Sequence, residues 1–555
     1  MRAAKRTRPV DSVAHLWPRE NRSQESLGEP NSSFSRLKSR TYSRPGTMNY
    51  AAIQRNVPFS VSIFAAFLLS AIPMHGLQTQ QVSPGQSRPN IVFMLADNVG
   101  YGVPSSYNNG ILDTPTIRID KLAAEGLRLT NFNVENQCTP SRAALMTGRL
   151  PIRSGIGKAI AAGAPGGLHP WEITLAEMLS DVGYRTAIFG KWHLGAGTGR
   201  LPTDQGFDEW FGFETTDIIY WTRNKGMPLK DVDYIRESRK GEKPRNVRLY
   251  DEDTRRLIDR MVTDHAVDYI AKNGKGDRPF FLYVPFAFAH HPALAHPDFA
   301  GKSPAGEFGD SLLEHDYNVG RILDALSAAG ITDNTLVVWA SDNGPSPLPT
   351  VTPWWTIGDA GPWRGEIGTV LEGNIRVPCI IRWPSKIPAG RVSNQIVAMV
   401  DFFPTLARIA GGKVPTDRPI DGVDQFDFFA GRQEKSNREH VLLFLGQKLM
   451  AVKWRNYKIH LDGLDRVDGV FEDWSFPRAF NLASDPKERW NIMWQNTWLG
   501  EEIGPFIAAY AASAKKYPNL AAGQPNDQPP HYGKDATASE TGVEGVQHKL
   551  ESVPQ

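Results

Sequence analysis

The stretch Ile91–Gly100, IVFMLADNVG, decides the fold because an unbroken apolar run leads directly into a polar turn. An apolar run of strand length without alternation is typical of a strand buried on both faces, as in a parallel sheet covered by helices. The pair Asp97-Asn98 then stands at the carboxyl end of this strand. Because ligands gather at the carboxyl ends of strands in doubly wound sheets, we expect a site there.

A second stretch, Thr335–Gly344 or TLVVWASDNG, repeats the pattern and ends in the pair Asp342-Asn343. The two Asp-Asn pairs can converge at one edge of the sheet although they are distant in the sequence. Two carboxylates and two amide oxygens form a hard, all-oxygen ligand set, which suits Ca²⁺ or Mg²⁺ and not zinc. Taken singly, each pair is better explained as an ordinary strand-to-loop turn.

The main body alternates apolar runs of strand length with helical segments such as Thr174–Val182 and Leu312–Ala329. This alternation predicts an α/β fold with a large, mostly parallel mixed sheet sandwiched by helices, and we expect residues 88–426 to form it. Residues 427–520 predict a small C-terminal antiparallel-sheet subdomain, because short strand candidates alternate there with polar turns. The candidates are Val441–Leu445, Met450–Trp454 and Tyr457–Leu461.

The two ends of the chain differ from this body. Residues 48–78 contain an apolar core after a short polar stretch with Arg55, which predicts a signal peptide and a secreted or periplasmic protein. The core is shorter than the roughly 20 residues that span a bilayer, so we expect no stable membrane span; an uncleaved anchor is the alternative. Residues 1–47 are expected to be a disordered basic leader from an over-extended gene start, and residues 521–555 a disordered tail.

The charge balance excludes a nucleic-acid-binding body. The 555 residues include 62 Lys and Arg against 60 Asp and Glu, but ten of the basic and four of the acidic residues precede Met48. Without that leader the chain has a slight negative net charge, whereas nucleic-acid binding requires a concentrated basic face. We therefore expect no nucleic-acid partner.

Cys138 and Cys379 are the two cysteines, so a disulfide framework does not organise this fold. Cys379 lies in a strand-like apolar run and is interpreted as a small buried hydrophobe. Cys138 opens the run CTPSRAALMTGR, which predicts a helix start with Thr139 as the cap and Pro140 at the first helical position. An anion is favoured at such a helix start, although a free structural cysteine is the default for Cys138 alone.

The run Cys138-Thr139-Pro140-Ser141-Arg142 resembles the signature of the sulfatases, whose Cys-x-Pro-Ser-Arg cysteine is oxidised after synthesis to formylglycine. The run GKWHLG from 190 to 195 resembles a family element in which a lysine and a histidine flank the formylglycine; they correspond to Lys191 and His193. By its position before a residue and a proline, His290 matches the family's second active-site histidine. The two Asp-Asn pairs stand where this family binds its divalent metal.

Two positions depart from the family pattern. Many members have two aspartates at the first metal position, where this chain has Asp97-Asn98, so the ligand set has one negative charge fewer. Many members also have a lysine directly before Gly-Thr-x-x-Glu-Gly, where this chain has Ile367. Arg364 is the candidate to supply the missing positive charge at the substrate. Because a guanidinium is always protonated, the role of general acid shifts to His290.

The resemblance implies a mechanism for hydrolysis of sulfate monoesters. The formylglycine made from Cys138 would be hydrated to a gem-diol, one hydroxyl of which attacks sulfur as the alcohol leaves. The metal, Arg142, Lys191 and Arg364 would offset charge on the sulfuryl oxygens. His290 would protonate the leaving oxygen, and His193 would take the proton from the second hydroxyl, which expels sulfate and restores the aldehyde.

The resemblance therefore predicts an arylsulfatase-type sulfuric ester hydrolase with formylglycine and a divalent metal, for which Ca²⁺ is expected and Mg²⁺ is the alternative. The predicted partners are an aryl sulfate or sulfated carbohydrate substrate and a formylglycine-generating or anaerobic sulfatase-maturating enzyme. Two other functions stay open at this stage. One is a phosphonate monoester or phosphodiester hydrolase of the same superfamily, and the other is a catalytically inactive protein that binds sulfated glycans.

Overall fold

A computed structural model describes residues 88–160, 166–215, 233–346, 358–463, 475–521 and 549–550. The predicted leader and signal peptide lie outside these residues, and so does most of the predicted tail. In the described part of the tail, Lys549 pairs with Asp462. Within the described ranges, no helix combines the length and the apolar character needed to cross a bilayer.

The larger sheet has eleven strands in the described part of the chain. In sequence order they are β1 Asn90–Ala96, β2 Leu127–Asn133, β3 Arg185–Lys191, β4 Glu209–Phe213, β5 Tyr234–Arg239, β6 Arg245–Leu249, β7 Phe280–Pro285, β8 Thr335–Ser341, β9 Arg376–Arg382, β10 Arg391–Ser393 and β11 Val397–Ala398. Their spatial order is β10-β2-β9-β8-β1-β7-β3-β4-β5-β6, and β11 pairs with β2.

The centre of this sheet is parallel, because β8, β1, β7, β3 and β4 run in one direction. Antiparallel pairs occur on both sides, between β2, β9 and β8 and between β4, β5 and β6. The carboxyl ends of these five neighbouring strands thus lie at one edge of the sheet. Since Ala96 pairs with Ser341, the residues that follow them, Asp97 and Asp342, start their loops side by side.

Helices cover both faces of the sheet, as the sequence predicted. Their bounds are α1 Ser105–Asn108, α2 Ile117–Ala124, α3 Cys138–Thr147, α4 Leu175–Asp181, α5 Glu252–Asn273, α6 Gly306–Ala328, α7 Glu372–Ile375, α8 Phe402–Ala410, α9 Phe426–Phe429 and α10 Trp498–Lys516. Ile91, Phe93 and Leu95 of β1 pack into one apolar layer with α3, α4 and α8. Val92 and Met94 pack into the other layer with α2, α5 and α6.

A second, antiparallel sheet follows in the chain, in the order β12-β13-β14-β15. Its strands are β12 His440–Leu445, β13 Lys448–Trp454, β14 Tyr457–His460 and β15 Arg478–Asn481. The first three strands lie within two residues of the bounds predicted from the sequence. Helix α10 covers this sheet, because Ile503 and Ile507 pack with Leu449, Val452 and Ile459 in one apolar cluster.

A buried group of charges joins the two sheets. Glu372 in α7 accepts hydrogen bonds from Lys453 at 2.7 Å and Lys458 at 3.2 Å, and all three side chains are fully buried. Lys453 also donates to the amide oxygens of Asn131 and Asn133 on β2. Burial opposes ionisation of Glu372, but the charges of Lys453, Lys458 and Arg376 hold its pKa below the ordinary value. The C-terminal sheet is thereby tied to the segment that precedes β9.

We predict that Lys453→Met lowers the free energy of unfolding by about 3–5 kcal/mol, because it leaves a buried carboxylate with one cation fewer. The matched control is Lys448→Met at the start of the same strand, where the lysine pairs with Asp462 and its side chain is 40% exposed. Because Lys448 is partly exposed and the buried Asp462 keeps a second cation in Lys549, this substitution should cost about 1 kcal/mol or less. Urea unfolding followed by tryptophan fluorescence measures both values, and equal losses would contradict the proposed importance of the buried group.

Candidate active site

The carboxyl-terminal edge of the parallel strands gathers the polar residues predicted from the sequence. Asp97 and Asn98 follow β1, and Asp342 and Asn343 follow the adjacent strand β8. The backbone N–H of Asn98 donates to the Asp342 carboxylate at 3.1 Å, and the Asn343 side-chain amide donates to Asn98 Oδ1 at 2.6 Å. All four side chains are buried. The two loops therefore form one hydrogen-bonded unit.

Helix α3 carries Cys138 into this unit. The Cys138 sulfur lies 3.5 Å from Asp97 Oδ1 and 3.8 Å from Asn98 Oδ1, and the residue is only 2% exposed. The predicted cap was wrong: the helix begins at Cys138, and Gln137 is the N-cap without a side-chain hydrogen bond. The Thr139 hydroxyl instead accepts from the backbone N–H of Ile160 at 3.2 Å, so it anchors a loop and does not cap the helix.

Arg142 lies one turn further along α3 and is fully buried between the two carboxylates. Its Nη2 donates to Asp342 at 2.7 Å and to Asp97 at 2.9 Å, and its Nη1 donates to the Lys191 carbonyl oxygen at 3.1 Å. Lys191, the last residue of β3, donates its ammonium protons to the same Asp97 oxygen that Arg142 binds. Two cations thus balance two carboxylates in a site without solvent exposure.

These charges set the protonation states. Burial favours the neutral form of Asp97, but Lys191, His290 and Arg142 together hold its pKa below the ordinary value. Burial and the charge of Asp97 raise the pKa of Asp342 to about 6 despite Arg142. Burial, followed by Asp97, also raises the pKa of the Cys138 thiol well above its usual range. The unmodified thiol is therefore neutral near pH 7 and is a poor nucleophile.

The oxygen atoms of this unit fit a divalent cation. One ligand atom from each of Asp97, Cys138 and Asp342 lies within 4.8 Å of the other two. The Asn343 side-chain oxygen is buried and has no hydrogen-bond donor among the described residues. An unpaired buried oxygen is costly unless a cation or a donor binds it. Carboxylate and amide oxygens are hard ligands, which suit Ca²⁺ or Mg²⁺.

Two histidines border the unit. The neutral His193 ring donates its Nε2 proton to the Ile160 carbonyl oxygen at 2.9 Å, and its Nδ1 is buried without a partner among the described residues. His290 donates its Nδ1 proton to the His291 carbonyl oxygen at 2.8 Å and stacks on the His291 ring. Burial, followed by the charge of Lys191, lowers the pKa of both rings well below the ordinary value. Each ring therefore has one nitrogen lone pair at neutral pH.

Arg364 lies on the segment that connects β8 to β9 and faces the C-terminal part of the chain. Its Nη2 donates to the Glu488 carbonyl oxygen at 3.0 Å, and its Nε has no partner among the described residues. These contacts do not link Arg364 to the carboxylates of Asp97 and Asp342. Ile367, at the position where a lysine was expected, donates its backbone N–H to Pro345.

The sequence did not reveal Asn374, which connects the loop after β8 to the segment before Cys138. Its Oδ1 accepts from the backbone N–H of Gly344 at 3.0 Å, directly after Asn343. Its Nδ2 donates to the carbonyl oxygens of Asn136, at 2.9 Å, and Thr369, at 2.6 Å. Asn136 precedes Cys138 by two residues. In the sequence, Asn374 is only a polar residue two positions after Glu372. No neighbouring residue indicates its hydrogen-bond partners.

The chain is similar to proteins of one known family. A family model described as Sulfatase matches residues 89–412, and one described as N-sulphoglucosamine sulphohydrolase, C-terminal, matches residues 368–499. N-acetylgalactosamine-6-sulfatase of Canis lupus familiaris is 35% identical over 442 residues, which cover 74% of this chain and 82% of that protein. Steryl-sulfatase of Mus musculus is 33% identical over 468 residues, which cover 72% and 74%.

Among solved structures, the PsFucS1 sulfatase from Pseudoalteromonas sp. superposes with a TM-score of 0.72 at 33% identity. The superposition covers 78% of this chain and 92% of that chain. The residues matched by the two family models, 89–412 and 368–499, include the parallel sheet, both Asp-Asn loops and the start of α3, and they extend into the C-terminal sheet.

We predict that Asn374→Ala loosens the start of α3, because it removes the buried side-chain hydrogen bonds to Gly344, Asn136 and Thr369. In protein produced with an unmodified Cys138, maleimide labelling of that thiol should accelerate on the order of tenfold, as expected for a loss of about 1–2 kcal/mol of local stability. Peptide mass spectrometry measures the rate, and Cys379 in the same protein reports global opening.

Asn273→Ala is the matched control, since Asn273 is also buried and hydrogen-bonded, at the end of α5, to Arg185 and Tyr269. It should leave the labelling rate of Cys138 unchanged. Equal acceleration by both variants, or parallel acceleration at Cys379, would show that Asn374 has no specific role at this helix.

Proposed function

We propose a mechanism for this chain, which belongs to the sulfatase family and is a sulfuric ester hydrolase. It cleaves sulfate monoesters with a formylglycine made from Cys138 and with a bound divalent metal. The observation that carries this proposal is the contact of Cys138 with Asp97 and Asn98, at the start of a helix and beside two buried cations. An anionic ester is favoured at this position by the helix dipole and by the cations.

The protonation state of the Cys138 thiol argues for a nucleophile made from it by conversion to formylglycine. A thiol whose pKa is raised by burial and by Asp97 offers little thiolate at neutral pH, so thiolate attack on sulfur is not supported. A formylglycine at this position supplies a hydrated aldehyde, one hydroxyl of which attacks sulfur while the second later releases sulfate. The conversion requires a formylglycine-generating or anaerobic sulfatase-maturating enzyme as a partner.

We propose Asp97, Asn98, Asp342 and Asn343 as the metal ligands, with Ca²⁺ as the expected ion and Mg²⁺ as the alternative. When bound there, the ion would offset negative charge on the sulfuryl oxygens. Arg142 already binds both carboxylates, so its role is to hold Asp97 and Asp342 in place and to balance their charge.

Lys191, His193 and His290 would carry the charge and the protons of the reaction. Lys191 would bind a sulfuryl oxygen from its place beside Asp97. The Nδ1 of His193 is unprotonated and buried, which suits a base that takes the second hydroxyl proton. His290 must gain a proton at Nε2 before it can act as the acid, and the negative charge of a bound ester would favour that protonation.

The substrate class follows from the same residues and the relatives. Arg364 is the proposed substrate contact; its Nη2 donates to the Glu488 carbonyl oxygen, and its buried Nε has no hydrogen-bond partner among the described residues. The name of one relative specifies a sulfated amino sugar and that of another a steryl sulfate. We propose a sulfated carbohydrate as the natural substrate, with aryl sulfates as assay substrates, for a secreted or periplasmic enzyme.

Cys138→Ala should abolish turnover of nitrophenyl sulfate, because the nucleophile is lost, while the thermal unfolding midpoint changes little. Mass spectrometry of the wild-type peptide should show the thiol of Cys138 replaced by an aldehyde. The matched control is Cys379→Ala, which removes a buried cysteine of β9 and should keep the activity. Retained turnover in Cys138→Ala would exclude the formylglycine mechanism.

His290→Ala should lower kcat/KM by about 10²–10⁴-fold for a sugar sulfate, whose alkoxide leaving group needs a proton. For nitrophenyl sulfate the loss should be within about tenfold, since that leaving group is stable as an anion. His296→Ala is the control, because His296 is a nearby histidine outside the site whose Nδ1 accepts a hydrogen bond from the backbone N–H of Asp298. Steady-state kinetics on both esters decide, and an equal loss on both would argue against the acid role.

A further inference from the structure

The segment 475–498 exposes an unusual amount of aromatic surface. Trp490 is 73% exposed, Trp494 57%, Trp498 42% and Phe476 41%. Large aromatic side chains normally bury most of their area, and an exposed apolar patch of this kind marks an interaction surface. We call these four residues the aromatic patch.

The aromatic patch is not needed for the core of the C-terminal sheet. Helix α10 packs on the sheet through Leu499, Ile503 and Ile507, which are buried. Two patch residues pack against another aromatic ring. The ring centroids of Trp494 and Phe476 are 5.4 Å apart, and those of Trp498 and Tyr457 are 5.7 Å apart in an edge-on arrangement. The rings of Trp494 and Trp498 are therefore oriented in advance, which lowers the entropy cost of binding a partner.

Every exposed or half-buried charge in the same segment is basic. These residues are Arg478, Lys487 and Arg489. The two acids of the segment are buried and occupied: Asp485 accepts from the backbone N–H groups of Arg489 and Trp490 at 2.8 Å each, and Glu488 binds His460. Around Trp490 the surface thus combines aromatic rings with positive charge, whereas Glu501 and Glu502, one turn beyond Trp498 on α10, are exposed acids at its other end.

This surface adjoins the segment that carries Trp363 and Arg364. Lys487 donates to the Trp363 carbonyl oxygen at 2.9 Å, and the Glu488 carbonyl oxygen accepts from Arg364 at 3.0 Å. Trp490 follows Glu488 by two residues. A chain bound across the aromatic patch would therefore pass next to the segment that carries the proposed substrate contact Arg364.

We propose that the aromatic patch and Arg489 form a docking platform for a sulfated polysaccharide chain. Pyranose rings present flat C–H faces that pack on indole rings, and their sulfate groups pair with guanidinium groups. A second copy of this chain or a membrane is less well matched, because the large exposed side chains of the segment are aromatic and basic without an aliphatic surface. The inference rests on the proposed function, since it makes the substrate of that site polymeric.

The test compares a polymer with a small ester. Trp490→Ala with Trp494→Ala should weaken binding of dextran sulfate by roughly tenfold or more, as for loss of two aromatic anchors. Both residues are exposed, so the fold should be retained. The kcat/KM for nitrophenyl sulfate should stay within about twofold, because that ester is too small to reach the platform. Ile111→Ala, at an equally exposed apolar residue in another region, is the control.

Two further variants separate the contributions to binding. Trp490→Phe should restore most of the affinity, since an aromatic face remains, and Arg489→Gln should reduce the salt dependence of dextran sulfate binding. Uncharged dextran should bind more weakly than dextran sulfate. Unchanged dextran sulfate affinity in the double variant would overturn the proposal.

Other partners and the chemistry itself are tested in the same samples. The wild-type protein is also tested for dimerisation and for binding to anionic vesicles. If the double variant loses either of these but still binds dextran sulfate, the patch serves that other partner and the docking proposal is overturned. A wild-type protein that binds dextran sulfate through the patch but does not hydrolyse nitrophenyl sulfate would support the platform and contradict the proposed function. The two conclusions can therefore fail separately.

Discussion

The contact of Arg142 with both Asp97 and Asp342 is the interaction on which the rest of the site depends. Two carboxylates at the ends of adjacent parallel strands repel each other, and burial makes ionisation of both costly. One guanidinium reaches both through the same nitrogen, and Lys191 adds a second cation at Asp97. The helix that carries Cys138 is thereby fixed against the strands, because Arg142 lies one turn beyond Cys138 on it.

The second sheet is part of the same arrangement. Lys453 and Lys458 hold Glu372, and Asn374, two residues later, links the loop after Asn343 to the residue pair before Cys138. These hydrogen bonds join fully buried side chains, and an unmatched polar group in such a place costs about 1–3 kcal/mol. The C-terminal sheet therefore supports the geometry of the site as well as the surface that we assign to polysaccharide binding.

Sequence reasoning worked best where the signal was local. The uninterrupted apolar runs predicted the doubly covered strands β1 and β8, and the mixed sheet, the flanking helices and the small antiparallel sheet were confirmed. It was wrong about the start of α3, because the hydroxyl of Thr139 is engaged by Ile160, a partner in another loop. It did not find Asn374 either, because its partners lie near residues 136, 344 and 369 and leave no periodic pattern.

The sequence by itself determined which side chains stand at the strand ends. It therefore also determined that carboxylate, amide, cationic and imidazole groups are available to build a site there. Those choices are local, since strand length and side-chain alternation are read over a few residues. Only the tertiary structure decided that Arg142 spans both carboxylates, that the Cys138 thiol is neutral and that Trp490 and its neighbours stay exposed. Charge pairing, desolvation and exposure depend on groups that are far apart along the chain and meet only in the folded protein.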